Sequence, residues 1–234
     1  MKECLVQLHT EPFTVQREWT VDDIPVLTAV VSLPQPVPDK GRVPSRIRRY
    51  YQLQSRAFLR YCEGWLLPQA AAEYRAALES SRPLPCFHAE LSYQVTYNQD
   101  GFWSLYTQSR ETGPAGPALL TRRGDTWDLS VGYPVPLQDF FPKGGRWKKE
   151  LLRTSEAEIL RQEAAGVARY HENWRRRLRQ SFNAQNYYLT ADGLTWFYPM
   201  HAIGPAAEGI PAFLMPFGPQ GPKQPGRETA PPET

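Results

Sequence analysis

Phe87–Gln108 reads FHAELSYQVTYNQDGFWSLYTQ, and the fold class turns on how this stretch is laid out. Alternation puts Leu91, Tyr93, Val95 and Tyr97 on one face of a segment running from Phe87 to Tyr97, the period-2 signature of a half-buried strand. Asn98 to Gly101 supplies turn residues, and Trp103, Leu105 and Thr107 share one face of the returning strand. Tyr106 falls on the opposite face with Phe102. Large side chains therefore point both ways, and both faces of this strand are expected to be covered.

Downstream, a Gly/Pro loop at 112–117 leads to a strand at Ala118–Arg122. Gly124 is expected to turn the chain into a further strand at Trp127–Val131, and Val135–Phe141 ends the meander. Upstream, strands are expected at Leu5–Leu8, Phe13–Trp19 and Val26–Leu33, followed by a turn-rich stretch with Pro34, Pro36, Pro38 and Gly41. A helix then runs from a Ser45 cap to Leu78, with Ile47, Tyr51, Phe58, Cys62 and Trp65 as its apolar stripe. Pro68 either kinks this helix or starts a second one at its first turn.

A second helical region spans Trp147–Phe182, with Gly166 between its halves. A hairpin of Tyr187–Leu189 with Leu194–Tyr198, turning through Ala191, Asp192 and Gly193, and a strand at Ile210–Phe217 close the fold. Strands and helices come in blocks, which predicts an α+β fold: an antiparallel β-sheet packed against two helical regions. One domain is expected over 1–218, with a disordered Pro/Gly-rich tail over 219–234.

Composition narrows the function classes. The 234 residues include 23 prolines, too many for a coiled coil, a long-helix protein or a transmembrane bundle. No apolar run reaches the ~20 residues that span a bilayer, so no membrane insertion is expected. Residues 1–9 lack the apolar core of a signal peptide. As written, the chain reads as cytoplasmic, and as extracytoplasmic only if a leader or anchor was removed.

Cys4, Cys62 and Cys86 have no C-x-x-C spacing, and His9, His88, His171 and His201 never fall at i, i+4. These patterns predict reduced thiols, with no metal site and no cofactor. Asp22–Asp23 and Asp125 with Asp128 read as turn and cap residues, so no catalytic residue is assigned. Between Arg146 and Arg179, ten basic residues stand against five acids. This reads as a solvated helix face with pairs such as Glu172–Arg176. Without a helix-turn-helix, RNP or zinc signature, nucleic acid is not the expected partner.

Two stretches carry a family resemblance. Ser104–Phe141 runs strand, Gly-rich loop, strand, then Trp127-Asp128-Leu129 and Val135-Pro136-Leu137-Gln138-Asp139-Phe140-Phe141. Asn186–Phe217 reads NYYLTADGLTWFYPMHAIGPAAEGIPAFLMPF. Their order resembles a bacterial domain of unknown function found in the extracytoplasmic part of RsiV-type anti-sigma factors and beside PdaC-type peptidoglycan deacetylase domains. The match runs over about Glu11 to Phe217. It departs at Gly113-Pro114-Ala115-Gly116, which lacks the family's loop histidine, and at Met200 or His201, where the family has an aromatic residue.

The resemblance implies the fold and a non-catalytic binding or sensing module. The implied partner is a lysozyme-like protein or a cell-wall fragment. The matched candidate ligand- or partner-binding positions are Gly113, Gly116, Tyr198, Pro199 and His201. The alternative is an enzyme acting on cell-wall glycan or a related small molecule.

Overall fold

A computed structural model of the protein describes residues 7–114, 116–219 and 221–226. Six strands form one sheet in chain order: β1 (Thr10–Val21), β2 (Ile24–Pro36), β3 (Phe87–Gln99), β4 (Phe102–Thr112), β5 (Leu119–Asp128) and β6 (Tyr133–Pro134). Helices α1 (Arg42–Tyr61) and α2 (Leu67–Glu79) lie between β2 and β3 in the chain. A second sheet has the order β7 (Tyr187–Leu189), β8 (Gly193–Phe197), β9 (Ala212–Pro216), preceded by α3 (Trp147–Ala164) and α4 (Trp174–Gln180). The class is α+β, as expected. One pair departs from antiparallel order: Leu27–Val31 of β2 runs parallel to Phe87–Leu91 of β3. A parallel neighbour needs a long crossover, and the helical segment from Arg42 to Glu79 supplies it.

Both tight hairpins are made by aspartate. Asp22 (φ 50°) and Asp23 (φ 61°) join β1 to β2, and Asp100 (φ 55°) and Gly101 (φ 77°) join β3 to β4. Two consecutive residues with positive φ match the mirror-image turn that suits the strand twist, and Asp tolerates that region better than most side chains.

Several expected boundaries move. Pro34 and Pro36 belong to β2, where they pair with Pro12 and Thr10 of β1. The pairing with β3 covers only Leu27–Val31, so these prolines withhold no N–H from a second neighbour. Gln7 and Leu8 are not in a strand, and the rest of the expected Leu5–Leu8 strand lies outside the described residues. The helix cap is Gly41 rather than Ser45, which sits inside the first turn with its N–H on the Gly41 carbonyl at 3.2 Å.

Gly124 does not turn the chain. It sits inside the continuous strand β5, because a Cβ there would lie 1.8 Å from the Tyr187 carbonyl oxygen. Gly193 likewise opens β8 rather than completing a turn, with the Met215 carbonyl oxygen 2.2 Å from where its Cβ would be.

The described chain forms two compact units. One holds His9–Gln94 and Thr107–Arg122. Its core joins Leu27, Ala29, Val31 and Leu33 of β2 to Ile47, Tyr51 and Leu59 of α1, all buried. A π-helical turn, Cys62–Leu66, separates α1 from α2. Pro68 lacks the N–H that would bond back four residues, and the wider turn accommodates it. A π turn also moves the buried position from i+3 to i+4. Cys62 is therefore followed into the core by Leu66, whereas Trp65, expected on the apolar stripe, is 63% exposed.

The other unit holds the described residues of Met1–Leu8, Val95–Tyr106 and Arg123–Thr234. Its core gathers Leu151 and Ile159 of α3, Trp174 and Leu178 of α4, and Leu189, Leu194, Trp196 and Phe213 of the second sheet. Phe102 meets Phe140 and Tyr106 meets Tyr188 in ring contacts, with centroids 6.2 and 5.1 Å apart. These contacts lie opposite buried Trp103 and Leu105, so both faces of β4 are covered, as expected.

Ser104 joins β4, β5 and β7 through one hydroxyl: it shares a 2.8 Å bond with the Thr126 hydroxyl and accepts the Leu189 N–H at 2.8 Å. Within the tail expected from 219 onward, residues 221–226 are held. The Lys223 N–H donates to the Phe140 carbonyl at 2.6 Å, and Pro222 and Pro225 are buried. Residues 220 and 227–234 of that expected tail lie outside the described residues.

A candidate binding cleft on the sheet

The cleft follows from register. In β2, Leu27, Ala29 and Val31 face the helices, so Thr28 and Val30 face the other way. Parallel pairing sets Thr28 beside His88 and Val30 beside Glu90. Together with Arg110 and Thr112 at the end of β4, these side chains line an open cleft of about 440 Å³. The Thr28 hydroxyl and His88 Nδ1 share a 2.6 Å hydrogen bond. Val30, 37% exposed, gives the floor an apolar strip.

The set offers a guanidinium as donor, a carboxylate as acceptor, two hydroxyls and an imidazole. A broad, open surface of this kind suits an extended polar chain better than an enclosed small molecule, whose sites are concave and mostly apolar.

Of the five positions expected to bind, Gly113 borders this cleft. It directly follows Thr112, and a Cβ on it would come within 3.3 Å of the Phe87 ring. Gly116 lies in the same loop at φ +89°, a conformation that suits glycine. Tyr198, Pro199 and His201 belong to the other compact unit. Tyr198 is fully buried, its ring edge-on to Phe213 and its hydroxyl beside Ser155 and Trp196 without a well-formed hydrogen bond. It is therefore a core residue. Pro199 and His201 are exposed on the following loop, where the His201 carbonyl lies 3.3 Å from His171 Nε2.

Sequence reading missed Thr28, His88, Glu90 and Arg110. They are brought together by a parallel pairing between segments about 60 residues apart, and no local signal announces that register.

The thiols behave as packing groups. Burial and the Glu111 carboxylate push the Cys62 thiol up to about 11, and burial with Glu18 raises Cys86. Such thiols stay protonated at neutral pH, the reverse of an activated nucleophile. Cys86 is half-buried, with its Sγ 3.7 Å from the Phe87 carbonyl, and Cys4 lies outside the described residues.

On the basic stretch 146–179, Glu150–Arg153, Glu158–Arg161 and Glu156–Arg179 pair at 2.7–3.3 Å. The expected Glu172–Arg176 pair does not form, because α4 begins only at Trp174. Among the described residues no group of three or more His, Cys, Asp or Glu is placed to hold a metal, and no helix is long and apolar enough to cross a membrane.

Residues 138–218 match a family model described as a protein of unknown function, DUF3298. No curated protein matches the chain. Among solved structures, a DUF3298 family member from Bacteroides fragilis is similar at 14% identity and a TM-score of 0.65, covering 90% of this chain and 91% of that one. A DUF3298 family protein from Pseudomonas aeruginosa is similar at 16% identity and a TM-score of 0.55, covering 89% and 90%. At these identities the likeness defines the fold.

Proposed function

We propose that the protein is a non-catalytic binding module whose ligand lies across the sheet cleft beside Gly113. The carrying observation is the convergence of Arg110, Glu90, Thr28, His88 and Thr112 on one open face. Donors and acceptors spread along a strand surface suit a glycan strand or an extended protein segment. The resemblance to RsiV-type sensing domains supports the same choice and suggests the first two probes, lysozyme and a muropeptide. Gly113 and Gly116 shape the loop at the cleft's edge, and Pro199 and His201 are proposed as a separate contact on their own exposed loop.

The test is calorimetric titration of the full chain with each probe. One probe should release heat, and Arg110→Ala should weaken that binding at least about tenfold, the loss of one charge-assisted contact. Absence of heat with both probes, or unchanged affinity in the variant, would sink the proposal. Turnover of the muropeptide that His88→Ala abolishes would replace binding by catalysis.

A further inference from the structure

The sequence of α1 contains six arginines (Arg42, Arg46, Arg48, Arg49, Arg56, Arg60) and no acidic residue. Five of them, with Leu53, recur at spacings of three and four: 42, 46, 49, 53, 56, 60. That spacing makes a single line along a helix. It lies opposite the buried line of Ile47, Tyr51, Ser55 and Leu59, so it faces outward. Arg48, off this line, is paired with Asp39. Arg42, Arg49, Arg56 and Arg60 are exposed and take part in no ion pair among the described residues. In 146–179, by contrast, glutamates are interspersed with the arginines and pair with Arg153, Arg161 and Arg179.

We infer that this outward face of α1 docks on an anionic phospholipid surface. The stripe runs for about 27 Å at the helical rise, and its middle is Leu53, which is 52% exposed. Tyr61 and Trp65, four residues apart where the π turn begins, are 38% and 63% exposed at the C-terminal end. Arginines on the outermost ridge of a straight helix all touch a plane at once. A helix seated in a nucleic-acid groove instead needs its cations on the flanks, toward the two phosphate rims. Tryptophan and tyrosine favour the headgroup level of a bilayer, and an exposed leucine amid arginines gains from shallow burial there. Charge draws the helix to the surface, and Leu53 and Trp65 give it a grip.

The experiment is co-sedimentation of the full chain with vesicles of phosphatidylcholine alone, or with one third phosphatidylglycerol. Binding is expected only to the phosphatidylglycerol vesicles and should fall with salt. The double variant Arg49→Glu/Arg56→Glu should lower affinity at least about tenfold, while Arg49→Lys/Arg56→Lys keeps most of it. Thermal melts confirm that each variant is folded. Trp65→Ala should weaken binding without changing its salt dependence. Equal binding to both vesicle types, no binding to either, or full retention after charge reversal overturns the inference. So does a DNA duplex that the same arginines bind more tightly than they bind the vesicles.

Discussion

Single residues in this protein are fixed by backbone proximity more often than by chemistry. Gly124 shows it best: flanked by alternating strand residues, it resembles a turn signal, yet it is buried in mid-strand under the Tyr187 backbone. A methyl group cannot share space with a carbonyl oxygen 1.8 Å away, so Gly124→Ala must push β7 off β5. The move would also strain the nearby bond from the Leu189 N–H to the Ser104 hydroxyl, leaving a buried donor at risk. Gly124→Ala should therefore destabilise the fold by about 3 kcal/mol, the upper end of the usual range for overpacked core sites. Chemical denaturation measures this directly, with Gly64→Ala as the control, since nothing lies within 4 Å of a Cβ there. A cost at Gly124 no larger than at Gly64 would refute the reading. Sequence marks such a glycine only as a break in a strand pattern, because the segment that presses on it lies 63 residues away.

Elements follow local chemistry where that chemistry is complete. The meander from Phe87 was legible because alternation and the Asp100-Gly101 turn agree, and the β7–β8 hairpin was legible for the same reason. What failed was any feature set by a distant neighbour. The parallel register of β2 with β3, and with it the cleft, has no local cue. The fate of Trp65 depends on a π turn that only the proline two residues past that turn foreshadows. The two aspartate hairpins allow an internal comparison. Asp100 is followed by glycine, the favoured residue for the second left-handed position, whereas Asp22 is followed by Asp23 at φ 61°. Replacing Asp23 with glycine removes the Cβ clash and separates two adjacent carboxylates. Asp23→Gly should stabilise the protein by about 0.5–1 kcal/mol despite glycine's larger unfolded-state entropy. A β-branched residue belongs far from this region, so Asp23→Val should cost about 1 kcal/mol or more. Melting temperatures of the pair bracket the wild type if the turn is as described; a fall with glycine contradicts it.

At the scale of the whole molecule, several tyrosines hold their protons more tightly than a free phenol does. Burial, reinforced for Tyr61 and Tyr170 by nearby glutamates, pushes Tyr61, Tyr170 and Tyr198 up to about 12. Burial also raises Tyr187, whose hydroxyl donates to the Val135 carbonyl. In each case the folded state holds the phenol proton more tightly than the unfolded chain, whose tyrosines release theirs near pH 10. The stability gained this way is complete below about pH 10 and drains away as the pH rises toward the folded-state value. Tyr198 has no exposed surface, so its share is the least screened, up to about 1.4 kcal/mol for each pH unit between 10 and 12. Tyr198→Phe deletes that proton and also a buried hydroxyl that lacks a well-formed partner. At pH 7.5 the variant should therefore match the wild type or exceed it by up to about 1 kcal/mol. Above pH 10 its stability should decline less steeply, because the remaining slope belongs to the other tyrosines. Urea denaturation from pH 8 to 11.5 on both proteins separates the two effects. Parallel curves would mean that Tyr198 ionises no later in the folded chain than in the unfolded one, and the buried phenol would then have to be solvated in the native state.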